Sequence, residues 1–125
     1  YSYDVNIPGY LNARVEFEKE PVATVNEELA FRIKFRQPTH TSPIQGNVNI
    51  SLPEGWWARY RRTVHIARPR DIMDVSMGYE EFDVYSDLDV VVIPGENIAP
   101  VNKLYVNVEL SNNCVPLVIP VSVLG

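Results

Sequence analysis

Between residues 29 and 52 apolar and polar side chains change places at almost every step. Leu29, Phe31, Ile33 and Phe35 alternate with Ala30, Arg32, Lys34 and Arg36. After a polar loop bearing Pro38 and Pro43, the alternation resumes at Val48, Ile50 and Leu52 and stops at Pro53-Glu54-Gly55. A period of two sends successive side chains to opposite faces of a pleated strand. The segment therefore predicts two strands, each with one dry and one wet face, joined by a loop over the surface. Two such strands read as half of a β-sandwich.

The same period recurs on either side. Val15 and Phe17 predict a first strand over 13–18, preceded by an opening with a Pro8-Gly9 turn signal and broken by Pro21. Residues 23–25 are placed to rejoin the opposite sheet, and Asn26-Glu27-Glu28 forms a polar turn. Val64 and Ile66 predict a strand that Pro69 ends. The acidic segment 71–89 admits two readings: Ile72, Met73 and Val75 fit a strand or one helical turn. Phe82 and Val84, with Leu88, Val90 and Val92, fit one strand or two kinked near Ser86. Leu104, Val106, Val108 and Leu110 alternate cleanly, Asn112-Asn113 turns the chain, and 115–124 makes the last strand. The short turn makes these two a hairpin. Pro116 and Pro120 cannot donate to a ladder, which places the last strand at an edge. No helical period is sustained anywhere. The fold predicted is all-β: an antiparallel immunoglobulin-like β-sandwich of about seven or eight strands, one domain over 1–125. Its core is expected from Val15, Phe17, Leu29, Phe31, Ile33, Phe35, Val48, Ile50, Leu52, Val106, Val108, Leu110, Ile119 and Val121.

Composition narrows the chemistry. With 125 residues, 46% hydrophobic and 22% charged, the chain has enough apolar material for its own core. No apolar run approaches the roughly 20 residues that span a bilayer, so membrane insertion is not expected. A net charge of −5 disfavours nucleic acid as a partner. Cys114 is the single cysteine and cannot form an internal disulfide. Tyr1 stands first and no charged-then-apolar leader is visible, as expected of a processed protein or of a domain excised from a longer one.

Four stretches carry a family resemblance. The run 21–31, with its Asn26-Glu27 turn before alternating apolar residues, resembles the opening of bacterial immunoglobulin-like accessory modules. Val48 to Leu52 followed by Pro53-Glu54-Gly55-Trp56 resembles the NEW-type domain that follows alpha-galactosidase catalytic modules, and Ile93-Pro94-Gly95-Glu96 is similar to a later turn of such domains. The ending from Val118 to Gly125 is similar to the closing strand of C-terminal β domains of ADP-ribosylglycohydrolase-like proteins. The resemblance implies a non-catalytic domain packed beside, or tethered to, a hydrolase in a bacterial periplasmic, cell-surface or secreted protein.

Reactive constellations are missing from the sequence. Trp56, Trp57 and Tyr60 form its best aromatic cluster, able to stack on sugar rings if exposed or to cap the core if buried. Neighbours on a strand face opposite ways, so one tryptophan of the pair is expected inside. Arg59, Arg61, Arg62, Arg68 and Arg70, with His65, make a basic segment suited to anions. Cross-strand pairing with the acids of 71–89 is the expected use of these charges. Glu80, Glu81, Asp83, Asp87 and Asp89 lack the spacing of a calcium loop and read as a solvated face. His40 and His65 have no metal-ligand spacing, Cys114 has no neighbouring base, and Asn49-Ile50-Ser51 puts a glycosylation triplet inside a strand. No phosphate loop, nucleophile elbow or zinc-protease motif occurs. No metal and no cofactor is expected. The reading is an accessory or structural module, not an enzyme by itself, that contacts an adjacent domain or another protein. The alternative is a carbohydrate-binding module using Trp56, Trp57 and Tyr60, with Arg59 and Arg61 beside them.

Overall fold

The computed structural model describes residues 1–6, 12–36, 44–66, 87–111 and 117–125. They form nine strands: β1 (Ser2–Asn6), β2 (Asn12–Phe17), β3 (Leu29–Arg36), β4 (Ile44–Ser51), β5 (Trp57–Tyr60), β6 (Thr63–Ile66), β7 (Asp87–Ile93), β8 (Val101–Leu110) and β9 (Leu117–Leu124). Two sheets result, one ordered β1-β2-β3-β7-β5 and the other β6-β4-β8-β9. Every strand pairing within them is antiparallel. The predicted Pro8-Gly9 and Asn112-Asn113 turns, Pro116, the loop over 37–43, and the segment 67–86 with Phe82 and Val84 lie outside the described residues.

The two halves of the opening pattern part company: β3 joins the five-stranded sheet and β4 the four-stranded one. Their apolar faces meet across the sandwich. Phe31, Ile33 and Phe35 from β3, and Val48 and Ile50 from β4, are buried together with Val15, Phe17, Val106, Val108, Leu110, Ile119 and Val121. Phe17 and Phe31 are register partners with ring centroids 5.1 Å apart, within the range in which aromatic pairs attract. Leu29 and Leu52, expected inside, are only half-buried because they stand at strand ends, packed against the core's margin.

β8 and β9 run in register from Val101↔Leu124 to Val108↔Leu117, and β9 is an edge strand, as expected from Pro120. Residues 21–23 do cross to the opposite sheet, but as a bridge and not a strand. Val22 pairs with Leu124, while the Ala23 and Leu124 amides donate to Leu124 and Pro21 carbonyls at 2.7 and 2.9 Å. Two short strands were absent from the sequence expectation. β1 lines the edge beside β2, and its Tyr3 hydroxyl donates to the Pro120 carbonyl at 3.2 Å, joining it to β9. Burial pushes the Tyr3 phenol above its ordinary pKa. β5 is the opposite edge of the same sheet.

Gly46 lies inward on β4, where a Cβ would stand 2.7 Å from a Val108 methyl and 3.1 Å from one of Val64. Gly46→Ala is expected to cost about 1–3 kcal/mol through overpacking, measured as a lower urea midpoint at unchanged slope.

Candidate functional site

The two turns that drew the family resemblance meet at one corner of the sandwich. Pro53-Glu54-Gly55-Trp56 closes with the Trp56 amide donating to the Pro53 carbonyl at 3.1 Å, and Gly55 takes φ 84°. That backbone is the glycine position of a type II turn. Gly95 packs on it so closely that a Cβ there would overlap the Gly55 carbonyl oxygen. Trp56 plugs the corner, 7% exposed, its indole N–H donating to the Asn97 carbonyl at 2.8 Å. The Asn26 amide donates to Pro94 at 2.9 Å, with Asn26 itself at φ 62°. Both resembling motifs therefore serve as a structural clamp.

The expected aromatic platform is consequently divided. Trp56 points in. Trp57, the next residue and the first of β5, points out and is 56% exposed. Tyr60 is half-buried, and its hydroxyl accepts hydrogen bonds from the Ile50 amide at 3.0 Å and from Arg62 Nη1 at 3.2 Å. The Arg62 guanidinium also sits 4.8 Å from the Tyr60 ring centroid. Tyr60 thus ties β5 to β4 across the two sheets, and alternation along so short a strand separates it from Trp57. The three rings cannot stack on one sugar chain.

The acids over 71–86, and with them most of the expected partners of the basic segment, lie outside the described residues. Arg59 reaches Glu28 at 3.3 Å, on the turn before β3. Arg61 donates from Nε to the Thr63 carbonyl at 2.7 Å and from Nη2 to the Asp87 carbonyl at 2.8 Å. Asp89 pairs with Arg32 of β3 instead of the basic segment, at 2.6 Å. Arg32 and Asp89 are register partners in the β3–β7 pair. Arg68, Arg70, Glu80, Glu81, Asp83, His40 and Cys114 lie outside the described residues. Among the described residues no group of metal-ligating side chains converges.

What this outer face offers is a contrast. Across β1, β2, β3 and β7 it is a lattice of charge: Arg14–Asp4 at 3.9 Å, Lys34–Glu16 at 3.3 Å and the Arg32–Asp89 pair. The hydrogen bond it donates to Asp89 holds the Arg32 guanidinium above its ordinary pKa. An open depression of about 440 Å³ lies over this lattice, reaching Ala30 and Val91. Towards β5 the charge gives way to apolar surface. Trp57 stands opposite Ile93, Arg59 opposite Val91, and Val91 opposite Ala30. Val91, Ile93 and Ala30 were not singled out from the sequence. Their signal is the unbroken run Val90-Val91-Val92-Ile93 in β7, where apolar residues continue onto positions that alternation assigns to solvent.

No protein-family model matches the chain, and no curated protein matches it. Solved structures do. The GAE domain of GGA2p from Saccharomyces cerevisiae is 12% identical, with 98% of this chain and 97% of that one covered at a TM-score of 0.55. A yeast GGA1 GAE domain is 10% identical, covering 100% of both chains at 0.51. Both are immunoglobulin-like β-sandwich appendage domains. At such identities the likeness establishes the fold, and the predicted immunoglobulin-like sandwich is the fold found. The likeness does not extend to the hydrolase-associated modules that the turn motifs resembled.

Proposed function

We propose that this chain is a non-catalytic appendage module that holds a protein partner on the corner of the five-stranded sheet around Trp57. One observation carries the reading. Trp57 leaves more than half of its surface in water and stands beside Ile93, with Val91 and Ala30 following across β7 and β3 on a face otherwise tiled with ion pairs. An indole is the side chain that gains most from being covered, and arginine and tryptophan dominate binding energy where proteins meet. Arg59 and Glu28 frame the patch as a polar rim. The appendage-domain fold of the solved neighbours supports a role in protein contact.

Replacing the anchor tests it. Trp57→Ala is expected to leave unfolding free energy within about 0.5 kcal/mol while weakening partner binding roughly tenfold or more. The measurement pairs urea unfolding with capture by the immobilised domain from lysate of the source cells. Equal capture by both proteins overturns the reading. A saccharide at Trp57 is the competing occupant, and it has one exposed ring of the 56–60 cluster to stack on.

Parentage within a bacterial hydrolase of the envelope or exterior belongs to the same proposal, and its support is the pair of turns at 53–56 and 93–96. The reading frame that carries the chain decides it: a catalytic hydrolase domain in the same polypeptide supports it, and a frame without one removes it.

A further inference from the structure

The opposite outer face, that of the four-stranded sheet, has a different chemistry. β4 and β8 are its two central strands, and they turn Asn47, Asn49 and Ser51, and Tyr105 and Asn107, towards solvent. Register sets Asn49 beside Asn107, Ser51 beside Tyr105, and Tyr105 in turn beside Pro120 of β9. Lys103 and Glu109 are the formal charges at outward positions of β4, β8 and β9, in a chain that carries 11 basic and 16 acidic residues.

Asparagine is depleted in strands because its amide competes with the ladder for backbone partners. Three of them on one face of two central strands go against the fold's own preference. Locally unfavourable choices of this kind collect where something other than folding is served. The Asn107 amide donates to Ser51 Oγ at 3.2 Å and to the Tyr105 carbonyl at 3.4 Å. Asn47 and Asn49 have no hydrogen-bond partner for their amides among the described residues. Tyr105 is 42% exposed beside them.

We infer that this face binds a neutral glycan chain. Sugar hydroxyls both donate and accept, as do carboxamides, so a row of amides matches them without formal charge. The Tyr105 ring offers a flat surface to the C–H face of a pyranose. A phosphate or sulfate ligand would need cations, and among the outward residues of β4, β8 and β9 only Lys103 carries that charge. The site lies on the sheet opposite Trp57 and does not depend on the partner reading there.

The test follows amide NMR resonances of the folded domain during titration with neutral hexaoses: β-1,4-glucan, β-1,4-mannan, β-1,4-xylan and α-1,4-glucan. Side-chain amides of Asn47, Asn49 and Asn107 are expected to shift with at least one of them, while Arg14 and Arg32 resonances stay in place. Tyr105→Ala is expected to weaken that response roughly tenfold. Asn49→Thr is expected to weaken it too while raising the unfolding temperature, since threonine is the better strand former. No shift with any hexaose up to about 10 mM overturns the inference. So does a lower unfolding temperature for Asn49→Thr, which would make the amide structural. A response confined to Trp57, or a protein partner footprinting on this face without any saccharide response, overturns it as well.

Discussion

Trp56→Ala is expected to destabilise the domain by about 3–5 kcal/mol, whereas Trp57→Ala changes stability by no more than about 0.5 kcal/mol. The two residues are chemically identical and adjacent. The difference comes entirely from the strand's two faces. Trp56 is buried between the turns at 53–56 and 93–97, and its removal leaves a cavity under backbone that cannot collapse into it. Gly95 already rests against the Gly55 carbonyl, so the two turns have no room to slide together. The Asn97 carbonyl also loses its indole donor. Urea unfolding of both variants measures the pair. A loss below about 1 kcal/mol for Trp56→Ala would mean that the corner is not closed by its indole.

Asn102→Ala is the second large effect, expected at about 3 kcal/mol. Asn102 is an inward position of β8, facing Val123 and 4% exposed. Its side chain completes three bonds in the apolar interior. Oδ1 accepts from the Ala99 amide at 2.8 Å, and Nδ2 donates to the Ala99 and Val123 carbonyls at 2.9 and 3.1 Å. Among the described residues no buried side-chain nitrogen or oxygen lacks a partner, so this amide is a satisfied clamp between the 99–102 turn and β9. Truncation takes this partner from three backbone groups, and at the buried Val123 carbonyl an unsatisfied group costs more than a made bond contributes. Asn107→Ala, the same change on the other face of the same strand, is the control and is expected to shift stability by less than about 0.5 kcal/mol. Equal losses at 102 and 107 would contradict the face assignment.

The core of the central strands was legible because burial on one face imposes a strict period. Phe31 to Phe35, Val48 to Ile50 and Val106 to Leu110 fall inside as the alternation requires. Edge strands obey it less tightly. β1 offers Tyr3 and Val5 to the interior amid polar neighbours, and neither is fully covered. The crossing at 21–23 is held by two backbone hydrogen bonds, close to the 23–25 at which it was expected. At the site, the sequence identified the right cluster and could not sort it. Alternation put one of the two tryptophans inside, and only the Pro53–Trp56 turn decides which. Two of the ion pairs, Arg59 with Glu28 and Arg32 with Asp89, are set by sheet order and not by nearness in sequence. The amides of the opposite face were invisible as a group because Asn49 and Asn107 meet only through the β4–β8 register.

The reading of the five-stranded sheet's corner as a contact surface depends on Trp56 facing the interior while Trp57 faces water. Fluorescence of Trp57→Phe, in which Trp56 is the remaining indole, tests that directly. Short-wavelength emission that iodide fails to quench is the result expected. Long-wavelength emission, quenched as readily as free tryptophan, would contradict it.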